Sequence, residues 1–221
     1  MRVRDSLDVK QFVQMMEQVL DSLVASAEEL NRLDAAVGDG DLGITMTLGS
    51  KAVRGGLPTL EGQDIGTILT KSGMAFNTAA PSTMGALMAI GAMRAGKEAK
   101  GTPRLDLPIL ARMTRAAEQG IMEKGGAQRG DKTLLDALGP AADTLEEAAS
   151  QGKSLADAVA SASAAAKAGV DATTALKAKS GRAAWITERT AGHPDPGATV
   201  IVLIWEAIAR FICWSGHVGP A

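Results

Sequence analysis

The chain has 221 residues, 46% of them hydrophobic, and 23 Lys+Arg against 25 Asp+Glu give a net charge of −2. This balance, with three Trp and three Phe as the only aromatic residues, excludes an extended basic surface for nucleic acid. No composition break divides the chain, so we expect residues 1–221 to form a single domain. The single cysteine and a start without the apolar run of a signal peptide indicate a cytoplasmic protein.

Helix-forming residues dominate, and strand signals are scarce, so we expect an all-α fold. In the first amphipathic stretch, apolar side chains recur at three- and four-residue steps from Val9 to Leu30. These patterns predict an antiparallel bundle or barrel of eight amphipathic helices. The other seven stretches are separated by glycine and proline and cover 43–54, 63–77, 82–97, 105–125, 132–151, 154–179 and 197–214.

Three polar residues stand where helix N-caps are expected, namely Asp131, Ser154 and Asp195. The last stretch, "GATVIVLIWEAIARFICW", is the most apolar segment of the chain. It carries Glu206 and Arg210 about one helical turn apart, and a membrane span would have to bury both charges. We therefore predict a core helix and no membrane association.

An acidic, glycine-rich segment, "DAAVGDGDLG", contains Asp34, Asp39 and Asp41. The part from Gly38 to Gly43 matches the glycine spacing of a dinucleotide loop, but it follows a helix, and its carboxylates would repel a pyrophosphate. A calcium loop is excluded because a serine stands where the bidentate glutamate belongs, and there is no Walker A sequence. Hard oxygen ligands on a sharp turn suit Mg²⁺ and, through it, a nucleotide. The alternative is a helix cap with solvated turn residues.

A second segment, "GRAAWITERTAGHPDPGAT", leads into the last helix. Arg182 and Arg189 lie upstream of the stiff "GHPDPG" loop, so a phosphate would meet guanidinium groups and helix N–H donors together. The alternative is a well-capped helix with solvent-facing arginines. His193, between Gly and Pro, is interpreted as a hydrogen-bonding residue that fixes the loop rather than as a general base.

Three segments together resemble the nucleotide-binding subunit of dihydroxyacetone kinases, which also occurs as the C-terminal domain of single-chain dihydroxyacetone kinases. They are "LDAAVGDGDLGITM", "GDKTLLDAL" and "GRAAWITERTAGHPDPGAT", in this order and at these separations. The resemblance spans nearly the whole chain. It implies an antiparallel barrel of eight helices that holds a Mg²⁺-nucleotide in the interhelical loops at one end.

The resemblance also implies site residues. Asp34, Asp39 and Asp41 match the aspartates that hold two Mg²⁺ ions against the phosphates of ADP or ATP. Arg182 matches the arginine beside the phosphates and is the expected catalytic residue. The expected nucleotide-binding residues belong to the phosphate-side turn, a helix start, the adenine flank and the closing loop, and they are Gly43, Ile44, Thr45, Thr83, Met84, Gly85, Gly125, Leu134, Asp195, Pro196 and Gly197.

The sequence departs from the family pattern at two places. Leu42 stands where members usually have His, and Pro81–Gly85 replaces a glycine- and serine-rich segment. The replacement still begins a helix with Pro81 near its start, and the hydroxyls of Ser82 and Thr83 suit a phosphate.

The resemblance implies a kinase subunit that phosphorylates dihydroxyacetone or a related small keto-sugar. In the family a separate subunit or domain holds the sugar through a histidine, and neither His193 nor His217 has the setting of a sugar pocket, so a substrate-binding partner is expected. The donor is either ATP or a phosphotransferase-system phosphocarrier that recharges bound ADP. A homodimer is a further candidate assembly. The alternatives are a Mg²⁺-nucleotide-binding module without turnover, a divergent kinase for another small sugar, and a purely structural helical protein.

Overall fold

The computed structural model describes residues 5–181 and 190–213. Within these residues the chain forms nine α-helices, one 3-10 turn and one pair of short strands, which confirms the predicted all-α class. The elements are β1 (Ser6–Asp8), α1 (Val9–Ala25), α2 (Ala27–Val37), α3 (Leu42–Gly56), the 3-10 turn (Leu57–Leu60), α4 (Ile65–Ala79), α5 (Thr83–Glu98), β2 (Arg104–Asp106), α6 (Leu107–Gly125), α7 (Leu135–Ser150), α8 (Leu155–Thr173) and α9 (Pro196–Cys213).

Eight of the helices form a closed ring. From α3 to α9 each helix packs against the next one in the chain, while α9 packs against α1 and α1 against α3. The short helix α2 lies against α3 and α9. One pocket is lined by residues from alternate connections, namely α2–α3, α4–α5, α6–α7 and α8–α9. This is the pattern of an up-and-down antiparallel arrangement. The predicted barrel of eight helices is confirmed.

Apolar helix faces fill the inside of this ring. α8 contributes a stripe of fully buried small side chains, Ala158, Ala162 and Ala166, which allows α7 and α9 to approach closely. α9 contributes Trp205 and Ile208. By length and composition α9 could cross a membrane, but half of its residues are buried against neighbouring helices. Its position agrees with the prediction of a core helix.

Two local features differ from the predicted helices. The stretch from Val9 to Leu30 is divided at Ser26, where ψ is 8°, although the N–H of Ser26 still donates to a carbonyl of the preceding turn. The stretch from residue 105 begins with β2, which pairs antiparallel with β1 and sets Leu7 against Leu105, both fully buried. Strands of three residues are too short to show an alternating pattern in the sequence.

Two of the three predicted N-caps are confirmed. Ser154 and Asp195 each accept a hydrogen bond from the backbone N–H three residues on, at 3.1 and 2.7 Å. The prediction for Asp131 is wrong, because the next residue has a φ of 60° and α7 begins only at Leu135. The Asp131 carboxylate instead accepts from the N–H of Gln128 within the preceding loop.

Candidate functional site

A pocket of about 230 Å³ opens where the four connections meet at one end of the barrel. Its lining comes from segments 34–45, 82–87, 121–135, 180–181 and 195–197. The structure thus brings together most of the residues that the sequence predicts for a nucleotide site. Those that line the pocket are Asp34, Asp39, Asp41, Thr45, Thr83, Met84, Gly125, Leu134, Asp195, Pro196 and Gly197.

Asp34, Asp39 and Asp41 converge at one side of this pocket. One carboxylate oxygen from each lies within 4.8 Å of those from the other two. Asp34 and Asp41 are partly buried, and Asp39 is exposed. Carboxylates held this close repel one another unless a cation lies between them, and Mg²⁺ prefers oxygen donors of this kind. The donor set therefore fits a hard divalent cation.

Asp34 also fixes the shape of the acidic loop. Its Oδ2 atom accepts hydrogen bonds from the backbone N–H groups of Asp41, at 3.0 Å, and Leu42, at 3.3 Å, and so caps the start of α3. Gly40, with a φ of 79°, allows the chain to turn between Asp39 and Asp41. Capping uses one of the two carboxylate oxygens of Asp34, so the capping and metal-binding interpretations of this residue are compatible.

Two predicted phosphate-side residues, Gly43 and Ile44, do not line the pocket. Both of their N–H groups donate to Oδ1 of Asn31 on α2, at 2.7 and 3.3 Å. A Cβ atom on Gly43 would lie 1.9 Å from the carbonyl oxygen of Ala27, so close packing of α2 on α3 requires glycine there. The side chain of Ile44 is exposed. Both residues therefore stabilise the acidic loop through contacts with α2, outside the pocket lining.

The start of α5 forms another part of the lining. Ser82 caps this helix by accepting a hydrogen bond from the N–H of Gly85 at 3.0 Å. Gly85 is buried and does not itself line the pocket. Thr83 and Met84 occupy the first helical turn, where backbone N–H groups and the helix dipole favour an anion. The segment that departs from the family pattern thus still presents a helix N-terminus to the pocket.

A third part of the lining is apolar. It combines Leu87 of α5, Ile121 of α6, Ala127 of the following loop and Leu134 at the start of α7. Gly125 lies beside them, and a Cβ atom there would approach Leu87 to 3.3 Å. Such a surface suits a flat, weakly polar group such as a nucleobase. The pocket therefore combines an acidic part with an apolar part.

Asp195 is buried at the start of α9, beside the pocket. Burial raises the pKa of its carboxyl to about 7; the nearby Asp136 adds to the rise, while a backbone N–H and the Lys132 ammonium oppose it. The backbone N–H of Asp195 donates to Oγ1 of Thr173 at 2.9 Å, which ties α9 to the end of α8. Pro196, the first residue of α9, also lines the pocket.

The described lining is strongly acidic. It carries the carboxylates of Asp34, Asp39 and Asp41, and the buried Asp195 with a pKa of about 7, against one cationic side chain, Lys132. The Lys132 ammonium is directed at backbone carbonyl oxygens. A polyphosphate would be repelled by this lining unless divalent cations accompanied it.

Three residues named from the sequence, Arg182, Arg189 and His217, lie outside the described residues. His193 is described, and its backbone carbonyl accepts a hydrogen bond from Lys132 at 2.7 Å. It therefore helps to fix the loop, through its backbone.

Several residues around the pocket were not predicted from the sequence. Asn31 caps α3 from twelve residues upstream, and no local pattern marks such a contact. Lys132 lies within "GDKTLLDAL", one of the segments that carry the family resemblance, so that match is the signal that could have drawn attention to it. The other lining residues that were not predicted include Ser82, Thr133, Ser180 and Gly181.

The protein is a helical barrel with an acidic pocket at one end, and this pocket suits an anion that binds together with divalent cations. Residues 36–210 match the family model of the DAK2 domain. The chain therefore belongs to the DAK2 domain family, and the resemblance drawn from its sequence is confirmed.

Relatives within the family are named as kinases. The ADP-binding subunit DhaL of the PEP-dependent dihydroxyacetone kinase of Escherichia coli is 32% identical, over 92% of this chain and 97% of that subunit. D-erythrulose kinase of Mycolicibacterium smegmatis is 35% identical over 90% of this chain, which spans 35% of that enzyme. Crystal structures of the dihydroxyacetone kinase of C. freundii match 95% of this chain and 35% of theirs. Their TM-scores are 0.71 for the native form, at 26% identity, and 0.67 for the complex with AMP-PNP and Mg²⁺, at 27% identity.

Proposed function

We propose that this chain is the nucleotide-binding phosphotransferase subunit of a kinase for dihydroxyacetone or a related small keto-sugar. It transfers a phosphoryl group from a Mg²⁺-nucleotide to a sugar held by a partner subunit. The names of the relatives, an ADP-binding subunit and an erythrulose kinase, support the activity and the substrate class. The AMP-PNP and Mg²⁺ complex of the C. freundii enzyme supports the cofactors.

The charge of the pocket is the observation that carries this proposal. A binding site for a bare anion would present free cations, whereas the described lining presents three clustered aspartates, the buried Asp195 and one lysine that is bonded to carbonyl oxygens. Three of the aspartates form a cluster of hard oxygen ligands. This arrangement favours a ligand that brings its own divalent cations, as a Mg²⁺-nucleotide does.

We assign Asp34, Asp39 and Asp41 to two Mg²⁺ ions, which would neutralise the phosphate oxygens of ADP or ATP and lower the charge barrier to transfer. Asp34 also holds the loop in shape by capping α3. The first turn of α5, at Thr83 and Met84, supplies backbone donors to the phosphates. The apolar part of the lining takes the adenine. Pro196 and Gly197, with buried Asp195, close the pocket.

Arg182 is the proposed catalytic residue, as the charge beside the transferring phosphoryl group. We assign it by its position in the "GRAAWITERTAGHPDPGAT" segment. Arg182→Ala should then lower turnover much more than nucleotide affinity, and equal losses in both would make it a binding residue instead.

The donor is ATP or a phosphocarrier that recharges bound ADP. We further propose that the chain is one domain and acts in the cytoplasm.

A kinase assay tests the function. The purified chain should bind Mg²⁺-ADP but leave dihydroxyacetone unphosphorylated, because the described lining contains no histidine that could hold the sugar. Addition of its substrate-binding subunit should start turnover, with ATP in one arm and an energised phosphocarrier in the other to identify the donor. The variant Asp39→Ala should remove turnover in both arms. Phosphorylation of the free sugar by the chain alone would show a sugar site of its own, and no turnover with either donor would contradict the kinase assignment.

A further inference from the structure

Lys132 has an unusual conformation and an unusual environment. It is the only residue other than glycine with a positive φ, 60°, among the described residues. A left-handed conformation costs a residue with a side chain about 1–2 kcal/mol. Its side chain is nevertheless buried, with 2% of its surface exposed. A strained backbone conformation with a buried charged side chain persists where contacts with the surrounding structure stabilise it.

The ammonium group of Lys132 lies among four backbone carbonyl oxygens. Nζ is 2.7 Å from the oxygens of Thr173 and His193, 2.8 Å from that of Thr190 and 3.1 Å from that of Leu176. An ammonium has three N–H donors, so these acceptors engage all of them. Lys132 lines the pocket, but it has no donor left for a phosphate of a bound nucleotide.

These four carbonyls belong to two separate stretches of chain. Thr173 ends α8 and Leu176 follows it, whereas Thr190 and His193 lie just before α9. The stretch after α8 leads to Ser180 and Gly181, and the stretch before α9 leads to Asp195–Gly197, and both groups line the pocket. Lys132 itself lies in the loop between α6 and α7, which supplies the apolar wall at Ala127 and Leu134. One ammonium therefore joins three walls of the pocket.

Backbone hydrogen bonds at the same junction have the same effect. The N–H of Lys179 donates to the carbonyl of Asp131 at 3.1 Å, and the N–H of Gly192 donates to that of Thr174 at 3.0 Å. The loop that carries the three aspartates is held by other contacts, from the N–H of Asp41 to Asp34 and from the N–H of Gly43 to Asn31. The pocket thus has a cation part and a nucleotide part with separate supports.

Stability alone is a weak reason to bury this charge. Burial lowers the pKa of the Lys132 ammonium, and the nearby Asp195 opposes the change. Even a buried ion pair is often no more stabilising than well-packed apolar side chains of similar volume, and the hydrogen-bond partners of this ammonium are neutral carbonyls. A positional requirement explains the lysine better.

We propose that Lys132 is a positioning residue of the nucleotide site, whose ammonium sets the three walls around the base and closing loop at the spacing that a nucleotide needs. This inference rests on the proposed function, because it takes the pocket to bind a nucleotide. It predicts a separation of two affinities: loss of the ammonium weakens nucleotide binding and leaves cation binding by the aspartates intact.

Calorimetric titration of two variants tests this inference. Lys132→Met keeps the length of the side chain and removes the ammonium, whereas Lys132→Gly also relieves the left-handed backbone. Both should bind ADP in the presence of Mg²⁺ about tenfold or more weakly than the wild type, as expected for the loss of charged hydrogen bonds. Their affinity for Mn²⁺ alone should equal that of the wild type. Hydrogen exchange should become faster at residues 173–181 and 190–195 in both.

Leu145→Ala is the matched control, since Leu145 is fully buried on α7 and does not line the pocket. It should lower stability without a change in either affinity. Wild-type ADP affinity in either lysine variant would overturn the positioning role, and so would an equal loss of ADP and Mn²⁺ affinity. If Lys132→Met does not fold, Lys132→Gly decides between these outcomes alone. A wild-type chain that binds Mn²⁺ but no nucleotide would overturn the proposed function and this inference with it.

Discussion

The raised pKa of the Asp195 carboxyl makes the free energy of unfolding depend on pH. Because its pKa is about 7 in the folded protein against an ordinary value of 3.8, the folded state retains a proton that the unfolded chain has lost between about pH 4 and pH 7. The contribution of Asp195 to the free energy of unfolding therefore falls as pH rises through this window. Asp195→Asn keeps a capping oxygen and removes the titration. Urea denaturation of the metal-free variant should show a flatter pH dependence than that of the wild type.

Asp64 provides a control of opposite sign. It caps α4, and the Thr67 hydroxyl, followed by the N–H groups of Gly101 and Thr67, lowers the pKa of its carboxyl below 3.8. Its contribution is present above about pH 4 and is lost as pH falls further. Asp64→Asn should therefore leave the slope between pH 4 and pH 7 unchanged. Parallel curves for Asp195→Asn and the wild type would contradict the raised pKa of Asp195.

Single residues differ in how far the sequence predicts their roles. Asp34, Asp39 and Asp41 are close in sequence, so their proximity follows from a short turn and could be predicted. Lys132 donates hydrogen bonds to residues that lie 41 to 61 positions further along the chain. Asn31 accepts hydrogen bonds from residues 12 and 13 positions further along. Such contacts depend on how helices pack, and no local pattern encodes them.

At the scale of helices, an ion-pair network joins α6, α7 and the loop between them. Glu118 of α6 is 2% exposed and accepts hydrogen bonds from Arg115 and Arg129, both at 2.5 Å. Asp143 of α7 accepts from the same two guanidinium groups. Arg129, followed by Arg115, lowers the pKa of Asp143 to about 2, so this carboxylate is ionised at neutral pH. The network holds the loop that forms the apolar wall of the pocket.

Glu118→Gln should therefore destabilise the fold by about 2 kcal/mol, the order expected for weakened hydrogen bonds between charged groups at a buried side chain. Chemical denaturation measures this loss. The control is Glu123→Gln, because Glu123 pairs with Arg94 on the exposed surface between α5 and α6. That change should cost less than about 1 kcal/mol. Equal effects of the two substitutions would mean that Glu118 adds no more than a surface pair does.

The helices themselves were largely predictable, for a physical reason. Long amphipathic stretches such as α1 and α9 must bury one face, and this requirement appears directly in the spacing of apolar residues. Helix ends were less predictable. The start of α7 shifts from the predicted residue 132 to Leu135 because Lys132 adopts a left-handed conformation, which follows from tertiary contacts. The strands β1 and β2 pair residues that lie 96 to 100 positions apart, and they carry no local signal.

At the scale of the whole molecule, the closed ring explains the place of the site. An up-and-down barrel gathers alternate connections at one end, so segments distant in sequence meet there without long loops. The strands β1 and β2 pair outside the connections that form the pocket, and their Leu7 and Leu105 are fully buried. The number of helical stretches predicted this ring, and the family resemblance predicted a site in the interhelical loops at one end. The support of the pocket by Lys132 and the ion-pair network became visible only in three dimensions.

The central claim is that the three aspartates bind a nucleotide through Mg²⁺, and calorimetric titration with ADP tests it most directly. The wild-type chain should bind ADP with Mg²⁺ present and lose this binding when EDTA removes the metal. Asp39→Ala and Asp41→Ala should abolish Mg²⁺-dependent binding with the helical content intact, since these carboxylates supply charge and bury little apolar area. Glu28→Ala, an equal charge change on an exposed residue of α2, should bind as the wild type does. Unchanged affinity in both aspartate variants, or ADP binding that persists in EDTA, would contradict the claim.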